Sequence, residues 1–138
     1  MIILDTNVVS EFTKAVVSDR VAAWFGRQSP LDLATTAVTE AEMLTGIALL
    51  PDGRRKMDLE RETLALLASF GSRVFPFDRG AAQEMPTVVL MRRARRLPTD
   101  QADGQIAAIA RCRSAMVATR NTAHFEHCGI TLINPWTD

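Results

Sequence analysis

The chain has 138 residues, 47% hydrophobic and 23% charged, a length and balance suited to one domain with an ordinary buried core and no need of disulfide or metal staples. Sixteen acidic and sixteen basic side chains cancel, which excludes any argument for a partner from net charge. Lys14 and Lys56 are the only lysines, so the positive charge is nearly all arginine, the side chain suited to bidentate phosphate and carboxylate contacts. No apolar run approaches the roughly 20 residues that cross a bilayer, and the opening run lacks the basic lead of a secretory signal. The cytoplasm is the expected compartment, with Cys112 and Cys128 expected as reduced thiols and no membrane partner.

The chain opens with Met1, Ile2, Ile3 and Leu4 followed by Asp5, Thr6 and Asn7. An unbroken apolar run this short fits a strand of a parallel sheet covered on both faces, and ligand crevices in such sheets lie at the carboxyl ends of the strands. Two roles are open to Asp5 there: capping the next helix, or chemistry. Residues 8–12 continue as a short helix. Residues 19–28 carry Val21, Ala22, Trp24 and Phe25 at helical spacing until Ser29 and Pro30 break the pattern.

Residues 31–36 read as a second strand, and residues 38–50 as a helix apolar almost all round, which implies burial on several sides. It stops at Pro51, Asp52 and Gly53. On its wheel Glu42 shares a stripe with Val38, Thr45 and Leu49 and faces apolar neighbours or a lined pocket, whereas Glu40 lies with Leu44 and Ile47. Periodicity does not decide between the two glutamates.

Residues 54–70 read as an amphipathic helix with Met57, Leu59, Leu64, Leu66 and Leu67 inward, ended by Gly71. A strand at 74–77 and a cap at Asp78 follow. The helix expected over 79–97 should break at Pro86. It ends in Arg92, Arg93, Arg95 and Arg96, four arginines in five residues. Such a run can neutralise nucleic-acid phosphates, or it can complement a helix dipole and stay wet. With no interleaved aromatics it offers no base stacking.

Pro98, Thr99 and Asp100 announce a helix over 101–113, in which Asp103 falls within the stripe of Ile106, Ala107 and Ala110. A carboxylate there must be paired, protonated or bound to a cation; alternatively Asp100 and Asp103 form a shortened capping box. Residues 115–118 form a fourth strand, left through the polar Thr119, Arg120, Asn121 and Thr122, and residues 130–133 a fifth. Strands alternating with helices give a parallel sheet with right-handed crossovers, in one domain spanning 1–138.

Three carboxylates, Asp5, Glu42 and Asp103, now stand at comparable places. Brought together they would repel one another without a cation, and oxygen-only ligands select Mg²⁺ or Mn²⁺ over zinc. Such an ion activates water against a phosphodiester. An aspartyl phosphatase would want a second aspartate two places after Asp5, where Asn7 stands.

The stretches MIILDTNVVSE, AVTEAEMLTGIALLP, PTDQADGQIAAIA, ATRNTAHFEHCGI and LINPW, in this order, resemble the PIN-domain ribonucleases, specifically the VapC/FitB-like toxins of bacterial type II toxin–antitoxin systems. The resemblance implies an α/β, three-layer α/β/α fold with a central, mainly parallel five-stranded sheet, Mg²⁺- or Mn²⁺-dependent cleavage of RNA, a homodimer, and a cognate antitoxin as partner. It assigns metal binding and catalysis to Asp5, to Glu42 of the family's "AE" pair and to Asp103 of its "AD" pair. Asn121 matches a polar position beside the site and Thr6 the hydroxyl residue after the first aspartate, while Arg92, Arg93, Arg95 and Arg96 would contact RNA. Three departures stand out. His124 occupies the place of the family's fourth acidic residue, which leaves a working three-carboxylate site, a shift towards Mn²⁺, or a weakened PIN-like module that only binds RNA or antitoxin. Gly104 replaces an alanine and is expected to loosen its turn, and Pro86 falls in a helix that relatives run unbroken.

Overall fold

In the computed structural model, which describes residues 1–138, the short apolar runs form five strands: β1 (Ile2–Leu4), β2 (Leu33–Thr36), β3 (Val74–Phe75), β4 (Met116–Ala118) and β5 (Leu132–Ile133). They lie in the order β3-β2-β1-β4-β5, and every neighbouring pair is parallel. The helices are α1 (Thr6–Glu11), α2 (Asp19–Gly26), α3 (Ala37–Ala48), α4 (Arg54–Phe70), α5 (Arg79–Arg93), α6 (Gln101–Cys112) and α7 (Thr122–Phe125).

Successive strand residues point to opposite faces, and here both faces are apolar because both are covered. Ile3, Ala34 and Val117 pack with Ala81 and Val88 of α5, Ile106 and Ile109 of α6 and Phe125 of α7. Ile2, Leu4, Leu33 and Ala118 pack with Val8 and Val9 of α1, Trp24 of α2, Met43 of α3 and Phe70 of α4. The chain runs from β1 outward to β3 with α1 to α4 on one face. It then recrosses the sheet through α5 and α6 on the other, as right-handed crossovers require when the direction of travel reverses. The connections leaving β1 and β4 therefore part to opposite faces and open a crevice at their carboxyl ends. No helix is long and apolar enough to cross a membrane.

Several expectations change. The second strand begins at Leu33 because residues Pro30–Asp32 close a 3₁₀ turn. Helix α3 buries one stripe, Thr39, Met43 and Ile47, rather than several sides, and Leu49 just beyond it is 81% exposed. Helix α4, about 25 Å long at 1.5 Å per residue, overhangs the short β2 and β3, so Thr63, Leu67 and Phe70 face inward while Met57 and Leu64 stay exposed. Gly104 does not loosen α6: a β-carbon there would come within 2.7 Å of Met85 Cε and Thr99 Cγ2, so its small size lets α5 approach closely.

Helix α5 runs unbroken through Pro86. The N–H that proline lacks would have met the carbonyl of Ala82, and both residues are exposed, so water can take the free carbonyl. Pro86→Ala should restore that bond and raise stability by about 1 to 3 kcal/mol. The check is the urea midpoint at unchanged slope; an unmoved midpoint means that the helix has already absorbed the proline without penalty.

Candidate active site

Asp5 ends β1, and its own N–H extends the ladder by donating to Ala118 O at 3.0 Å. Its carboxylate does both things the sequence left open. Oδ1 accepts the Thr6 N–H at 2.7 Å and caps α1, while Oδ2 accepts the Thr119 hydroxyl at 2.7 Å and the Asn7 amide at 2.8 Å. The residue is only 4% exposed. Burial pushes its pKa from 3.8 up to about 6, against the pull of the Thr119 and Thr6 hydrogen bonds and with a further push from the carboxylates of Asp103 and Glu42.

The other two acids reach this neighbourhood from α6 and α3. The Thr6 hydroxyl lies 2.9 Å from Glu42 Oε1 and 3.2 Å from Thr39 Oγ1, which joins the end of β1 to α3. Glu42 also borders an open groove of about 650 Å³ with Val38, Thr45 and Leu49, the stripe read from its helical wheel, and Phe77. Asp100 caps α6 by accepting the Asp103 N–H at 3.2 Å. The capping box is only half made, because the Asp103 carboxylate turns instead to His124, with Oδ2 2.8 Å from Nδ1. An ionised carboxylate only accepts, so the ring hydrogen sits on Nδ1 and Nε2 is left free.

No lysine or arginine forms an ion pair with Asp5, Glu42 or Asp103. A buried carboxylate, pressed by two others and matched by no cationic side chain, is a donor set that fits a hard divalent cation. No three His, Cys, Asp or Glu side chains close on one point as a ready-made cage.

Asn121 stands at the rim, its N–H donating to Thr119 Oγ1 at 3.0 Å and its carboxamide making no cap bond to α7. The arginine run divides. Arg93, Arg95 and Arg96 are exposed, but Arg92 is 5% exposed and turned inward, so it is not part of the phosphate-facing patch expected from the sequence. Its guanidinium serves backbone carbonyls instead.

Two residues of the site were not singled out from the sequence. Asn7 donates to Asp5 and accepts the Arg120 N–H at 3.0 Å, and Thr119 donates to Asp5. Their signal was position: polar residues at the carboxyl ends of β1 and β4, which are neighbouring strands only in the folded sheet.

A PIN domain family model matches residues 2–129. The chain is 41% identical over 140 residues to the VapC ribonuclease Y4jK of Sinorhizobium fredii, across 99% of this chain and 98% of that protein. It is 37% identical over 139 residues to the toxin FitB of Neisseria gonorrhoeae, across 100% of both. The solved structure of FitAB bound to an IR36 DNA fragment matches with a TM-score of 0.94 at 36% identity, covering 100% of this chain and 97% of that one.

Proposed function

From the premise that this chain belongs to the PIN domain family, we propose that it is a metal-dependent endoribonuclease, the toxin of a type II toxin–antitoxin pair, formed by one domain over residues 1–138. The observation that carries this reading is the buried Asp5 carboxylate at the carboxyl end of β1, its pKa raised by burial and by Asp103 and Glu42, with no cationic side chain to neutralise it. Asp5, Glu42 and Asp103 would hold a Mg²⁺ or Mn²⁺ ion, whose chemistry when bound is to acidify a water and to neutralise charge on a phosphodiester.

The chain's own groups prepare that site. Thr119 and Asn7 hold Oδ2 of Asp5, while Thr6 occupies only one lone pair of Oδ1. Thr6 also anchors Glu42. His124 keeps Asp103 oriented through Nδ1 and so stands behind that acid, in place of the family's fourth carboxylate. The Asn121 carboxamide, which makes no cap bond to α7, would hydrogen-bond a phosphate oxygen or the attacking water. The exposed Arg93, Arg95 and Arg96 steer the RNA backbone by charge alone.

Kinship to the toxin FitB, and to FitB as found with FitA on DNA, supports a cognate antitoxin as partner, a toxin homodimer within that assembly, and action in the cytoplasm. The test is incubation of purified, antitoxin-free protein with total cellular RNA in Mg²⁺, Mn²⁺ or EDTA, followed by mapping of new ends. Defined new ends with either metal and none with EDTA are expected. RNA left intact in all three overturns the nuclease and leaves the binding module.

A further inference from the structure

Arg92, in the last turn of α5, spends its guanidinium on two separate segments. Nε donates to Pro98 O at 3.0 Å, and Nη1 donates to Ala123 O at 3.2 Å and to Glu126 O at 2.7 Å. Ala123 and Glu126 flank His124, whereas Pro98 lies in the connection that leads to Asp100, the cap of the helix carrying Asp103. One planar group therefore ties the piece of chain bearing His124 to the piece that launches Asp103.

Helix α7 has four residues, too few to be stable by its own hydrogen bonds. Its last carbonyls have no partners within the helix, and Arg92 supplies donors to them. The turn that follows holds His127 and Gly129 at positive φ, 61° and 70°, and Arg111 Nη1 reaches Cys128 O at 3.1 Å. Phe125 buries one side of α7 in the core, while Arg92 and Arg111 hold its C-terminal end and the turn after it.

Arg92 is a buried guanidinium with no carboxylate in an ion pair. A buried charge is expensive compared with an apolar side chain of similar volume, so geometry is what an arginine adds: a rigid fork whose donors bridge carbonyls that a lysine ammonium cannot span together.

We propose that Arg92 is a positioning residue: by clamping α7 to the connection between α5 and α6 it sets the His124 ring against the Asp103 carboxylate. The proposal rests on the reading of Asp103 as a site residue. It predicts that loss of the fork frees the ring without unfolding the protein.

The chain has two histidines, and the exposed His127 makes no side-chain hydrogen bond, so the ring signals of the full-length protein by NMR at one fixed pH carry their own reference. In Arg92→Met the Nδ1 signal of His124 should move to the position of His127 while the backbone amide spectrum stays dispersed; Arg92→Lys, which keeps the charge, should show a partial shift. RNA cleavage should fall roughly 10- to 100-fold in Arg92→Met, with no further fall when the same change is made in His124→Ala. Unchanged His124 signals in a folded variant, or equal losses in both backgrounds, overturn the proposal. If Arg92→Met does not fold, Arg92→Lys decides: wild-type ring signals and wild-type cleavage in it sink the clamp. If wild-type protein cleaves no RNA, the nuclease reading fails and the ring signals alone judge Arg92.

Discussion

Asp5→Asn is expected to cripple RNA cleavage and, in metal-free buffer near neutral pH, to make the protein more stable. The folded pKa of Asp5 stands at about 6, against 3.8 for the free side chain. The folded state therefore binds more protons than the unfolded state between about pH 4 and pH 6, and stability falls as pH rises through that window, then levels off. At about 1.4 kcal/mol per pKa unit the charged, buried carboxylate costs roughly 3 kcal/mol at pH 7. Asparagine carries no charge to bury. Its oxygen can still accept the Thr6 N–H, and its amide can donate to the Thr119 hydroxyl, although the Asn7 amide must then turn away.

A net gain of about 1 to 3 kcal/mol follows, with cleavage lower by on the order of 10³-fold. The measurement is urea denaturation of both proteins from pH 4 to 8. The difference between the curves isolates Asp5, because Glu11 works in the opposite direction. Its pKa is held below 4.5 chiefly by Lys14, so its contribution is complete above that value and lost on acidification. Added Mg²⁺ should stabilise wild type and leave the variant unmoved. A variant that cleaves at the wild-type rate refutes the assignment of Asp5, and two curves that run parallel refute its buried charge.

Thr119→Val should displace the pH dependence of cleavage as well as weaken it. Valine keeps the shape but removes the hydroxyl that donates to Asp5 Oδ2 and accepts the Asn121 N–H. That hydroxyl is the leading influence holding the Asp5 pKa down against burial, so without it the pKa rises beyond 6. Asp5 must be ionised to bind a cation. The acid limb of the rate profile therefore moves to higher pH, with a loss of roughly 10- to 100-fold at pH 7 that alkaline buffer partly recovers. Thr119→Ser, which retains the hydroxyl, should keep the wild-type limb. Rate profiles from pH 5 to 9 decide: an equal drop at every pH would mean that Thr119 supports the site only through packing.

Much of the site was legible along the chain. Four apolar residues before Asp5 announce a buried strand that ends in a carboxylate, and the wheel of α3 puts Glu42 on the groove-lining stripe with Val38, Thr45 and Leu49. The arginine run was misread at Arg92, because a cluster of charges in sequence carries no information about which member another segment covers. Pro86 was misread for a related reason: its penalty depends on whether the freed carbonyl meets water.

Periodicity, caps and breakers act over three or four residues. They were enough to mark the five strands and the six longer helices, though not α7, and to put Asp5 after the first strand and Asp103 early in α6; between Glu40 and Glu42 they left the choice open, and the family resemblance made it. The order of strands in the sheet is a different kind of fact, since it depends on which way each crossover travels and which face it covers. That order alone makes β4 the neighbour of β1 and so lays Thr119 against Asp5. The packing of α7 on the same side then lays His124 against Asp103. These contacts join residues far apart along the chain, and no local rule can see them.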